Sequence, residues 1–180
     1  FVLATMMLPT VVLLIPQFIV FANLPAFGFQ GSRVWVNTFL PLIVPGLIGG
    51  TAFHIFLLRQ FMRSIPMSLS ESAKLDGASE LRILWSIVMP LSKPALATIA
   101  IFSFQGAWQD FMGPLIYLNT EEGMPLALGL QYMTSTSNAM QLPPWNLVMV
   151  GSIVLTLPMI AVYYLGQKYL YEMNLQGGSA

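Results

Sequence analysis

Four stretches of this chain, residues 1–24, 38–58, 94–118 and 145–165, are almost wholly apolar, and Asp110 is the one charged side chain among them. A helix of about 20 mostly apolar residues crosses the hydrocarbon core of a bilayer, so each stretch predicts a membrane-spanning helix. The expected fold class is all-α, a polytopic transmembrane helical bundle forming a single domain over residues 1–180. Bulk composition agrees. Hydrophobic residues fill 56% of the 180 positions and charged ones 8%, with a mean hydropathy of +0.74. A soluble domain carries about 25% charged residues to wet its surface. Here the apolar surface is expected to face lipid or partner helices.

Every stretch also contains proline or glycine: Pro9 and Pro16 in the first, and Pro41, Pro45, Gly46, Gly49 and Gly50 in the second. The third holds Gly106 and Gly113, the fourth Gly151 and Pro158. A proline inside a soluble helix costs about 3 kcal/mol, but membrane helices tolerate it where neighbours satisfy the freed carbonyl groups. Two readings of these residues stay open, close helix packing with kinks and a moving gate.

Several functions are excluded at this level. The seven basic and seven acidic side chains cancel, leaving no global field to hold a nucleic-acid backbone. Without cysteine there is no disulfide, thiol nucleophile or thiolate metal site. The lone His54 cannot build a histidine cluster, so no metal site is expected. The chain opens Phe1-Val2-Leu3, directly in an apolar run, without the basic region and small-residue cleavage site of a signal peptide. The start is therefore expected to lie inside a membrane helix of an N-terminally truncated polypeptide.

Charge sets the orientation. The connection at residues 59–93 holds Arg59, Arg63, Lys74, Arg82 and Lys93, and the tail adds Lys168. The other two connections contain Arg33 alone, while Glu121 and Glu122 sit in the later one. Basic residues near membrane ends favour the cytoplasm, so residues 59–93 and the C-terminus are expected there, and residues 119–144 outside.

The basic connection is too long for a simple link, which takes about 2–8 residues, and it carries its own structure signals. Ser68-Leu69-Ser70-Glu71 fits a capping box, predicting a short helix through Lys74 or Leu75. Asp76-Gly77 reads as a break, because glycine reaches left-handed backbone angles freely. Ser79 is placed to cap a second helix over residues 80–88, with Glu80 favourable in its first turn. Leu81, Leu84, Trp85 and Val88 fall at helical spacing as one apolar stripe. Met89-Pro90 is expected to stop that helix, and Ser92-Lys93-Pro94 to begin the third span.

With those residues in view, the sequence resembles the binding-protein-dependent ABC importer permeases. Their EAA loop has the pattern E-A-A-x-x-x-G and, further on, I-x-L-P; this chain matches at Glu71, Ala73, Gly77, Ile87 and Pro90, and departs mildly at Ser72 and Met89. Phe61-Met62-Arg63-Ser64-Ile65-Pro66, Asp76-Gly77-Ala78, Trp108-Gln109-Asp110-Phe111, Gly113-Pro114-Leu115-Ile116-Tyr117 and Trp145-Asn146 are similar to the maltose-type carbohydrate permeases in particular.

The resemblance covers essentially the whole chain. It implies a fold of the MetI-like permease type, with the first two helices of a six-helix subunit missing. It implies a prokaryotic inner or plasma membrane location, a sugar or oligosaccharide as cargo, and an EAA loop docked on a cytoplasmic ABC ATPase. Glu71, Ser72, Ala73, Asp76, Gly77, Ile87 and Pro90 would then be the coupling residues. Further partners are a second permease subunit and an extracytoplasmic solute-binding protein, besides membrane lipid. No G-x-x-x-x-G-K-[ST] phosphate loop occurs in the sequence, so ATP and Mg are expected on the ATPase, with no cofactor and no catalytic residue here.

For the solute path, Asp110 is the only carboxylate well inside a span, and such a charge should face the bundle or water. With Trp108 and Gln109 it offers a stacking surface and hydrogen bonds for a sugar; alternatively it is a satisfied structural carboxylate. Gln17 and Asn23 are lesser candidates. His54 is expected to pack or hydrogen-bond rather than relay protons, and the scattered methionines are read as flexible packing. Within residues 119–144, residues 124–133 have helical spacing with Leu126, Leu130 and Met133 on one face, either a docking element for the binding protein or a re-entrant connector.

Two other classes stay in view: an importer permease for a different solute, and a self-powered channel or secondary transporter, which should show coupling charges in several spans. A membrane enzyme lacks the convergent catalytic groups it would need.

Overall fold

A computed structural model of the chain describes residues 2–27, 33–48, 51–120, 123–135 and 143–177. Phe1, Gly49, Gly50, Glu121 and Glu122, used above, lie outside the described residues. The described residues form helices without a named strand: α1 (Val2–Met6), α2 (Thr10–Asn23), α3 (Leu40–Ile48), α4 (Ala52–Ser64) and α5 (Met67–Leu75). Then come α6 (Glu80–Leu91), α7 (Lys93–Trp108), α8 (Met112–Tyr117), α9 (Leu126–Ser135) and α10 (Trp145–Gly177).

Prolines and glycines set the breaks. The first apolar stretch is divided before Pro9, and Pro16 sits within α2. Residues Leu40–Ser64 span 25 positions at a hydropathy of 1.8, and Trp145–Tyr171 spans 27 at 2.0; both are long and apolar enough to cross a membrane. The third stretch is divided: α7 ends at Trp108 and a separate turn of helix, α8, follows. Pro114 falls in the first turn of α8, where its missing N–H is not needed.

The helix α7 is the centre of the bundle. It packs most extensively on α10 and also on α4, while α1 lies on α4, α9 on α10 and α3 on α8. Close approach comes from small residues, as expected for packing in lipid. A Cβ added at Gly166 of α10 would run into the Ile101 side chain of α7, and one at Gly151 into Leu130 of α9. Leu130, on the same apolar face of α9 as the exposed Leu126 and Met133, meets α10 at Gly151, and Leu128 beside it is buried.

Among the described residues the buried set is small and mostly modest in size, including Ala95, Thr98, Ser92, Ile83 and Phe61, while large apolar side chains along α2, α3 and α10 are exposed. That is the inverse of a soluble core. It fits a chain whose outer surface is covered by lipid or by other helices.

At the end of the bundle opposite residues 59–93, an isolated antiparallel bridge between Pro25 and Val34 helps tie the elements together. Ala26 N–H donates to the Arg33 carbonyl at 2.9 Å and Trp35 N–H to the Leu24 carbonyl at 3.2 Å. Asn37 N–H donates to the Tyr117 carbonyl at 2.7 Å, and Asn37 Oδ1 accepts from the Asn119 N–H at 3.0 Å.

Candidate functional site

The connection at residues 59–93 folds as a helix, a tight turn and a second helix. The first helix starts earlier than the capping-box pattern indicates. Pro66, with φ −58 and ψ 128, occupies the cap position and no side chain caps the end. Ser68 is inside the helix, its carbonyl accepting from the Ser72 hydroxyl at 2.7 Å. A proline that fixes its own φ and is followed directly by helix takes the place of a serine cap.

The turn itself is closed by two backbone bonds. Ala78 N–H donates to the Ala73 carbonyl at 2.9 Å and Gly77 N–H to the Lys74 carbonyl at 3.0 Å. Gly77 has φ +77. This is a Schellman closure, in which the residue after the cap must be left-handed. Lys74 Nζ then reaches Glu80 Oε1 at 2.6 Å, linking the two helices across the turn. The Glu80 carboxylate, chiefly by its hydrogen bond and then by its charge, holds the Lys74 ammonium above its ordinary pKa.

The second helix is capped as its sequence indicates, Ser79 Oγ accepting from the Arg82 N–H at 3.4 Å. Its end differs from expectation. The helix does not stop at Met89-Pro90 but runs on to Leu91, and its middle, Leu84–Val88, widens into a π turn in which Met89 N–H reaches the Leu84 carbonyl. Pro90 has no N–H and its ring crowds the carbonyl four residues back; widening the preceding turn lets the helix carry it. The real bend, 69°, falls at Ser92 between Glu80–Leu91 and Lys93–Trp108.

Most apolar side chains of this helical pair point away from the bundle. Leu75 is 90% exposed, Met67 76%, Leu81 69% and Trp85 67%, while Ile83 is buried. Glu71, Ser72, Asp76 and Pro90 are exposed, and Ala73 and Ile87 are half-buried. The pattern residues therefore share one continuous element, with nothing within 4 Å of a Cβ built on Gly77. A rigid turn surrounded by outward-facing apolar groups is a surface suited to a partner protein.

Trp108, Gln109 and Asp110 do not form one solute wall. The Trp108 indole N–H donates to the Leu155 carbonyl of α10 at 2.9 Å, and its ring stacks on Phe104 with centroids 5.7 Å apart. Asp110 Oδ1 accepts from the Gly113 N–H at 3.1 Å, capping α8. Its carboxyl also borders a cavity of about 470 Å³ with Gln17, Thr10 and Tyr117. An aspartate just ahead of α8 with Pro114 in its first turn fits a helix start. Gln109 lines a different and larger cavity, about 870 Å³, together with Thr51, His54, Phe102, Ser103 and Gln105. Of these, Thr51, Ser103 and Gln105 carry no motif and were not legible as a group. Asn23 Nδ2 donates to the Ile19 carbonyl within its own helix.

Comparison with known proteins places this architecture. Residues 1–172 match the family described as binding-protein-dependent transport system inner membrane component. Among similar proteins, LplC of Bacillus subtilis is 35% identical over 86% of this chain and 55% of its own length. The polygalacturonan/rhamnogalacturonan transport system permease YtcP of the same organism is 33% identical over 86% and 57%. The sn-glycerol-3-phosphate transport system permease UgpE of Yersinia enterocolitica is 33% identical over 92% and 54%. The chain thus spans about half the length of the curated relatives it matches. On this match, over nearly its full extent, the chain belongs to the family of binding-protein-dependent transport system inner membrane components.

Proposed function

We propose that this chain is the membrane-spanning part of a permease subunit in an ATP-driven importer for sugars or oligosaccharides, and that the turn at Gly77 couples it to a separate ATPase. Residues 59–93 and the C-terminus lie in the cytoplasm in this reading. ATP and Mg²⁺ are held by the ATPase, a second permease subunit completes the path, and a solute-binding protein delivers cargo from outside. Glu71, Ser72, Ala73, Asp76, Gly77, Ile87 and Pro90 belong to the coupling element.

The observation that carries this is the outward display of Leu75, Leu81 and Trp85 around a backbone-locked turn. Apolar groups in water are unfavourable at about 25 cal/mol per Å², so this end of the molecule calls for a protein cover. When that cover moves with nucleotide state, the 69° bend at Ser92 passes the motion to α7, which touches both α4 and α10.

Single cysteines at Ser72 and Ala73 test the reading in the full-length subunit purified with its co-purifying chains. A short bifunctional reagent should join each to an ATP-hydrolysing chain. Absence of such a crosslink in a complex that still transports would overturn the assignment.

A further inference from the structure

The larger cavity holds chemistry that the coupling turn does not explain. It lies among α3, α4 and α7, and its lining, among the described residues, includes no lysine, arginine, aspartate or glutamate. Its polar members are two primary amides, Gln105 and Gln109, two hydroxyls, Thr51 and Ser103, and the His54 imidazole. Ser103 Oγ lies 3.5 Å from His54 Nδ1. Phe102 and Phe53 provide adjoining aromatic surface, their ring centroids 6.0 Å apart.

The position is informative. Counting about 1.5 Å per residue from Lys93, Gln105 sits about 18 Å along α7, which is beyond the middle of a hydrocarbon layer about 30 Å thick. An amide facing lipid there would lack hydrogen-bond partners at a cost of several kcal/mol. Gln105 is exposed on the cavity side, so its amide needs water, a polar solute or a polar group of the second permease subunit, and cysteine labelling at this position separates these. A volume near 870 Å³ is in the range of small-ligand sites, about 300–1,000 Å³.

We propose that this cavity is a solute subsite on this subunit, selective for uncharged glycosyl units over phosphate esters and uronates. The inference rests on the importer reading and adds a substrate class to it. Amides and hydroxyls both donate and accept, matching the paired character of sugar hydroxyls, and the phenyl rings cover an apolar sugar face. A phosphate or carboxylate would instead need a charge-assisted donor such as Arg or Lys. Burying it here without one is heavily disfavoured.

These 180 residues contain no cysteine, so Gln105→Cys in the full-length subunit, assembled in nanodiscs with its co-purifying chains and with any other accessible cysteine replaced by serine, reports on the cavity. A water-borne, charged methanethiosulfonate should label it, while Val150→Cys, on the exposed face of α10, stays unlabelled. Maltose, trehalose, cellobiose and lactose are the neutral probes; sn-glycerol 3-phosphate and digalacturonate are the anionic ones. At least one neutral probe should slow labelling, by about fivefold at about four times its Kd, and neither anion should. Protection by an anion, protection by none of the six, or no labelling at all overturns the proposal. If the crosslinks at Ser72 and Ala73 persist in that event, the importer reading stands and only the subsite is lost.

Discussion

The Ala78 amide and the Ala73 carbonyl, 2.9 Å apart, close the turn between α5 and α6 over a left-handed Gly77. No neighbouring atom crowds a Cβ at Gly77, so the requirement for glycine is conformational. Asparagine visits left-handed angles readily, whereas a β-branched residue there is strained by about 1–2 kcal/mol. Gly77→Val should therefore uncouple substrate-stimulated ATPase activity in the assembled complex with normal membrane insertion. Gly77→Asn should retain most of it. Equal activity of both variants would remove the turn from the mechanism.

Asp110 offers a second discriminating pair. Its carboxylate caps α8 through the Gly113 amide, and asparagine keeps an acceptor in the same place. Loss of a capping side chain costs about 0.5–2 kcal/mol. Asp110→Asn should leave the melting temperature of the solubilised complex close to wild type, with Asp110→Ala lower. If both variants keep full thermal stability yet lose transport, the carboxylate acts on solute rather than on α8.

These residues show where sequence reasoning reached and where it stopped. The left-handed break at Gly77 and the Ser79 cap were legible because both depend on one residue's own backbone or side chain. The start of α5 was not, since Pro66 and Ser68 offered competing local signals and the proline prevailed. The helix through Pro90 was not legible for a related reason, as a π turn absorbs the proline without ending the helix. Trp108 looked like a free stacking surface only because its partner, Leu155, is remote in sequence. The cavity around Gln105 joins α4 to α7 through residues that carry no pattern of their own.

Trp108 can be tested by removing its donor alone. Trp108→Phe keeps an aromatic ring against Phe104 and loses the hydrogen bond to the Leu155 carbonyl. A net loss of about 1 kcal/mol is expected, read as a lower melting temperature, with the apparent affinity for the transported sugar unchanged. A shift in that affinity at constant stability would assign the indole to the solute path.

The Lys74–Glu80 pair should prove mechanically minor. Both side chains are more than half exposed, and exposed pairs contribute little once screened. The raised Lys74 pKa means that the pair's contribution is complete below the ordinary value of 10.5 and fades only as pH rises through the higher folded value. Lys74→Met should leave the ATPase coupling ratio unchanged from pH 6 to pH 8 (about the range bounded by most carboxylate and lysine titrations). A large loss would mean that Lys74 contacts the ATPase directly.

The α7–α10 contact gives the last test, because under the proposed coupling it would pass motion from the bend at Ser92 into the bundle. Gly166 lies against Ile101, and any Cβ there must displace the isoleucine side chain. Gly166→Val should destabilise the solubilised complex by about 1–3 kcal/mol, the usual cost of overpacking. Ile101→Ala alone should also destabilise, by opening a void. Combined, the two changes fill each other's space, so the double variant should be more stable than the sum of the single effects by at least about 0.5 kcal/mol. Strict additivity would mean that α7 and α10 do not meet at these two residues in the assembled transporter.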